Sequence, residues 1–293
     1  MVNGKSSAAA ILGILLLGLA GCVQPGPAAV SIELGGAQLP VELVESWLRE
    51  ARSPGIAASQ VSPVYMSQHG FENLARGECD LACTDRALAA RELEQFGDRD
   101  VQGQRVAFYG YALYVNPSNP LDAIFAKHVR LIFQRRIKDW SELAGDRIPQ
   151  LQGPISLYGP GKSTRGGSIL CPIANIWFAD PTWQVLDSDA EIVAKVAEDP
   201  LGLGFASIGY DEAARYLGLR MERLSPPVFP SLEAIEAERY GLAKLIYVYY
   251  LDPPNAAVQT ALDYLFSDAG RRAIEASDLW SIPADRAPVP PPL

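Results

Sequence analysis

Lys162, Ser163, Thr164 and Arg165 lie together in the run Gly159-Pro-Gly-Lys-Ser-Thr-Arg-Gly-Gly-Ser168, which mixes two cations, hydroxyl donors and four glycines, Gly166 among them. Apolar Ile155 to Tyr158 before it reads as a short strand, and the apolar run from Gly167 to Phe178 after it reads as a helix. A loop handing a strand over to a helix N-terminus offers unpaired backbone N–H groups and the positive end of the helix dipole. Together with those side chains it makes an oxyanion site; a solvated glycine/serine connection is the alternative reading. The run also resembles the end of a Walker A loop, but Ser156 stands where that pattern needs its first glycine.

The elements needed to position such a loop follow from the pattern on either side. Val30 to Leu34 alternates as a strand and passes through Gly35-Gly-Ala-Gln-Leu-Pro40 into a helix over Val41 to Arg52, a second strand–loop–helix of the same style. Ile56 to Tyr65 reads as the next strand, Gly70 to Arg76 as a short helix and Asp80 to Cys83 as a strand. Alternation of this kind predicts an α/β fold with a parallel core, whose ligands sit beyond the carboxyl ends of the strands. Gln38, Leu39, Ser67 and Asp85 all fall there. Arg105 to Val115 is a long apolar strand and Leu242 to Leu251 another; helices are expected over Leu121 to Phe133, Asp189 to Glu198 and Ala256 to Glu275. The breaks divide the chain into one lobe of residues 30–112 plus 243–285 and a second of residues 113–242, with a cleft between them for a small ligand. Residues 286–293 read as a solvated proline-rich tail.

Residues 1–21 carry one cation, Lys5, before an uncharged apolar stretch too short to cross a bilayer, which is the form of a signal peptide. Its end, Leu19-Ala-Gly-Cys22, resembles the bacterial lipobox. That resemblance implies cleavage before Cys22, lipidation of that cysteine, and residues 22–29 as a tether holding an exported domain on a membrane. A formal net charge of −9 argues against nucleic acid as a partner. Among the other cysteines, Cys79 and Cys83 on one strand stand too far apart for a disulfide. A Cys83–Cys171 bond stays open, beside the reading of all three as buried thiols. With two histidines and no ligand spacing, neither a metal nor a cofactor is expected.

Several stretches in order resemble one family, the phosphate-binding proteins of phosphate ABC transporters. Gly36-Ala-Gln-Leu-Pro40 with Trp47 is similar to that family's first ligand loop, and Met66-Ser-Gln-His-Gly70 to its second. Gly77 to Leu88 resembles the segment ending in Ser-Asp, and Val115-Asn-Pro-Ser-Asn-Pro120 with Ile137-Lys-Asp-Trp140 is the nearest match. Asp199 to Ser207 and Arg239 to Tyr249 continue the agreement over nearly the whole mature chain. The resemblance implies a two-lobed periplasmic-binding-protein fold of type 2. By the same resemblance Ser67 and Asp85 are ligand residues, while Gln38 and Leu39 replace a Thr-Phe pair and would act through backbone N–H groups. The family's Arg-x-x-x-Ser-Gly-Thr becomes Gly-Lys-Ser-Thr-Arg-Gly here, so Lys162 or Arg165 would stand in for the missing upstream arginine.

The expected protein is therefore a monomeric, membrane-anchored, non-enzymatic lipoprotein, periplasmic or at the cell surface, that captures phosphate or a similar oxyanion and docks on an ABC permease. A binder of another small anion, or a sensor with a degenerate site, is the rival expectation.

Overall fold

In the computed structural model, residues 29–52, 55–62, 66–145, 148–175, 181–222 and 225–290 are described. The expected signal peptide, Cys22 and the expected tether up to residue 28 lie outside them. Among the described residues no helix is long and apolar enough to cross a membrane.

The chain opens with β1 (Val30–Gly36), α1 (Gln38–Arg49), β2 (Ile56–Gln60), α2 (Ser67–Arg76), β3 (Leu81–Thr84) and the single turn α3 (Ala90–Leu93). β1 lies parallel between β2 and β3. Trp47 of α1 and Phe71 of α2 are fully buried against this sheet, and the Trp47 indole N–H donates to Ser277 Oγ at 3.1 Å. Burying an aromatic ring of this size with its polar atom satisfied is among the larger single contributions to such a core.

β4 (Asp100–Val115) follows, then β5 (Ala123–Phe125), α4 (Ala126–Phe133), α5 (Ser141–Ala144), β6 (Ser156–Pro160) and α6 (Arg165–Ala174). Next come β7 (Gln184–Leu186), α7 (Asp189–Glu198), β8 (Gly202–Ser207), β9 (Arg215–Arg220) and α8 (Leu232–Glu236). The chain closes with β10 (Ala243–Asp252), α9 (Ala256–Leu265), α10 (Asp268–Glu275) and β11 (Trp280–Ser281). The strand order is β2-β1-β3-β10-β4-β8-β6-β7, with β9 and β11 also on β4 and β5 on β9.

β4 organises the molecule. Its first part, to Gly110, pairs with β10 and β11, while Tyr111 to Val115 pair with β8 and β9, so one strand serves two groups of elements. This is the two-lobed α/β arrangement expected. The parallel expectation holds for β2-β1-β3 and for β8-β6-β7, but β10 is inserted antiparallel between β3 and β4.

Three further expectations need correction. Leu121 to Phe133 is not all helix: Ala123 to Phe125 pair in parallel with Gly218 to Arg220, and α4 starts only at Ala126. That pairing is a tertiary contact, which overrides local helix propensity. Ala256 to Glu275 is two helices, because Ser267 accepts the Gly270 N–H and starts a new one. The proline-rich end is not free in solvent as far as Pro290. Ala287 is buried, its carbonyl accepts from Arg105 N–H at 2.7 Å, and Val289 N–H donates to Gly103 O at 3.0 Å. Extended proline-containing chain is suited to covering the edge groups of a strand.

Candidate functional site

The expected site residues fall into two groups. The first gathers where β1 and β3 end and α1 and α2 begin. Gly36 and Cys83 are ladder partners, and Ala37 N–H donates to Cys83 O at 3.0 Å, so Gln38, Leu39 and Asp85 issue from neighbouring strand ends. Ser67 opens α2; its hydroxyl donates to Asp85 Oδ1 at 2.6 Å and accepts the Asp85 backbone N–H at 3.1 Å. The residues preceding α1 and α2 are Ala37 and Met66, and neither helix has a side-chain cap. The first-turn N–H groups of Gln38 and Leu39 are thus left to solvent or an anion. The Gln38 side chain turns away to Glu42, at 3.0 Å, and Leu39 packs on the core, so both would act through the backbone.

The second group is the start of α6. Thr164 Oγ1 donates to Gly161 O at 2.8 Å and accepts from Gly167 N–H at 3.1 Å, which makes it the cap of the helix. Thr164, Arg165 and Gly166 line a cleft of about 1040 Å³, whose far wall is Glu275, Asp278, Leu279 and Trp280. Lys162 and Ser163 lie on the approach to α6 and do not line that cleft. Arg165 spans it: Nη1 donates to Ser277 O at 2.7 Å, at the carboxyl end of α10. A guanidinium on carbonyls at a helix C-terminus is a favourable pairing with the dipole.

Tyr109 and Tyr111, on one face of β4, connect the two groups. Burial first, and the Asp85 carboxylate second, push the Tyr109 hydroxyl up to about 12 against the opposing pull of the Arg165 guanidinium, so it lies within reach of both fields. Burial, then Asp189, pushes the Tyr111 hydroxyl up to about 12 as well. Both phenols are therefore neutral donors at ordinary pH. The Tyr111 ring stacks on Phe205, with centroids 5.2 Å apart. Sequence reasoning passed over this pair, although tyrosines two apart on a strand always face the same way. Asp187, Asp189 and Ser207 also line the cleft and went unremarked.

The fold has counterparts among known proteins. A PBP superfamily domain is matched over residues 23–269. The chain belongs to the PBP superfamily. Proteins of this class bind substrates rather than transform them. This superfamily member is 23% identical over 219 residues to "Protein SphX" of Synechococcus elongatus, an alignment spanning 70% of this chain and 64% of that one. It therefore covers less than two thirds of the curated relative's length. Among solved structures it resembles a possible phosphate binding protein from Planctomyces limnophilus, with a TM-score of 0.66 and 18% identity over 89% of this chain and 95% of the other. It also resembles an ABC-type phosphate transport receptor from Vibrio cholerae, with a TM-score of 0.57 and 17% identity over 85% and 99%. At these identities the structural likenesses establish the fold.

Cys79, Cys83 and Cys171 are buried free thiols, with no Cys83–Cys171 bond; burial pushes Cys79 up to about 12. Among the described residues no cluster of histidine, cysteine and carboxylate groups could hold a metal ion.

The Arg165 contact makes a prediction about the chain without ligand. Arg165→Ala removes a charge-assisted bond between α6 and the end of α10, a contact of roughly 1–2 kcal/mol in a half-exposed setting. Small-angle scattering of the ligand-free variant should show a larger radius of gyration than the parent. An unchanged radius would mean that the contact does not hold the cleft.

Proposed function

We propose that this chain is an extracytoplasmic solute-binding lipoprotein, anchored through Cys22, that captures phosphate for uptake by an ABC transporter. The observation that carries the reading is the Ser67–Asp85 pair beside two uncapped helix N-termini. Helix N-termini attract an anion, whereas a carboxylate repels one unless the anion brings a proton to donate. Hydrogenphosphate has that proton and sulfate does not, so the pair suits the first and opposes the second. The family match and the phosphate-binding descriptions of the two solved relatives support the same reading.

Residues 30–112 with 243–285 serve as one lobe and residues 113–242 as the other. Ser67, Asp85 and the Gln38–Leu39 backbone hold the anion from the first lobe. Ser163, Thr164, Gly166 and the nearby charges of Lys162 and Arg165 meet it from the second. Closure is driven only by contacts that exist in the closed form and not in the open one. The loaded monomer then docks on a membrane permease. Because Arg165 is already engaged with Ser277 O, capture of a different small anion is the rival reading.

Calorimetric titration separates the two. Full-length protein in neutral detergent, stripped of bound anion, should give saturable heat with inorganic phosphate that excess sulfate does not displace. Absence of heat from folded protein, or displacement by sulfate, would reject the phosphate assignment.

A further inference from the structure

Where the chain returns from α8 into β10, a second and much smaller cavity of about 120 Å³ opens beside Asp85. A pocket of this size has room for one small tetrahedral anion. Asp85, Arg86, Glu238, Lys244 and Tyr247 line it. A phosphate placed against Asp85 adds like charge to a carboxylate, and the cavity must supply a cation to offset it.

The candidates differ in what already occupies them. Arg86 is held bidentate by Glu92, at 2.7 Å to each oxygen, and its guanidinium lies 5.2 Å above the Phe71 ring. Arg165 is committed to the Ser277 carbonyl across the cleft. Glu238 accepts the Tyr247 hydroxyl at 2.7 Å. Lys244 is exposed, and among the described residues no carboxylate stands within ion-pair distance of it. Its register partner on β4 is Tyr109, so the two side chains leave the sheet on the same face, and Tyr109 is the phenol whose hydroxyl feels Asp85.

We propose that Lys244, at the start of the crossing strand β10, is the charge-compensating ligand residue of the anion site, closing on a phosphate held against Asp85. The proposal rests on the phosphate reading above and adds to it a residue outside both ligand loops. A flexible four-carbon stem ending in three donors can follow the anion as the lobes close, which a guanidinium locked to Glu92 cannot. It also accounts for the missing upstream arginine: a cation from the strand between the lobes joins the charges of the α6 loop at the anion.

The test is titration of inorganic phosphate into the full-length parent and into Lys244→Met, Lys244→Arg and Lys195→Met. Lys195 is an exposed lysine on α7 paired with Glu198 at 3.2 Å, so its variant removes the same net charge at a distance. Lys244→Met should weaken phosphate binding by about tenfold or more, Lys244→Arg should recover most of the loss, and Lys195→Met should bind as the parent does. Because the Lys244 side chain is exposed, thermal unfolding should be unchanged in all three variants. Parental affinity in Lys244→Met, or an equal loss in Lys195→Met, would overturn the role of Lys244 while leaving the phosphate reading intact. A folded parent that binds no phosphate would overturn both.

Discussion

Asp85→Asn should bind phosphate roughly 10–100-fold more weakly than the parent and should lose most of its preference over sulfate. Asparagine keeps the shape of the side chain and can still accept the Ser67 hydroxyl, now at 2.6 Å from Oδ1, so the packing around β3 is preserved. What disappears is an ionised acceptor for the proton of hydrogenphosphate, a bond of about 1.5–3 kcal/mol when one partner is charged. Removing the carboxylate also removes a repulsion, and that gain is shared by both anions. Phosphate therefore loses the difference of two terms, whereas sulfate receives the gain alone. The decisive quantity is the ratio of the two affinities, measured by competition in parent and variant. A ratio that stays constant would show that Asp85 does not read the proton of the ligand, whatever happens to the affinities themselves.

The same residue shows what could be read from the sequence. The place of Asp85 was legible because it follows an apolar strand, Leu81–Thr84, and strand ends in an α/β fold are where ligands are expected. β1, β3, β4, β8 and β10 were legible for the same reason: their apolar residues are numerous enough to leave a pattern. β5, β7 and β11 are two or three residues long and carry no period of their own. β9 exists through its partners on β4 and β5, which no local pattern announces. Side-chain commitments were the least visible layer. Lys162, Thr164 and Arg165 have the right types for an anion loop, yet Thr164 caps its own helix and Arg165 reaches a carbonyl more than a hundred residues later. Residue type states what a group can do; a tertiary contact decides which of those things it does.

The geometry that brings the first group together depends on one backbone position, and Gly36→Ala should be the most destabilising of the substitutions considered. Gly36 has φ of +135°, and a Cβ there would lie 2.0 Å from the Cys83 carbonyl oxygen. The same carbonyl accepts the Ala37 N–H, so relieving the clash means parting β1 from β3 and giving up that bond. Backbone strain and the lost hydrogen bond together amount to roughly 3–5 kcal/mol, a large part of the stability of an ordinary domain. Gly77 is the control. Its φ is +74°, but nothing lies within 4 Å of a Cβ placed on it, so Gly77→Ala should cost only about 1 kcal/mol. Urea midpoints for the two variants test the argument directly, and equal losses would mean that the close approach of β1 and β3 is not the constraint. The phosphate affinity of whatever Gly36→Ala protein remains folded should fall as well. Parting the strands carries the start of α1, with the Gln38 and Leu39 N–H groups, away from Ser67 and Asp85, and an anion site built from helix ends works only while those ends converge.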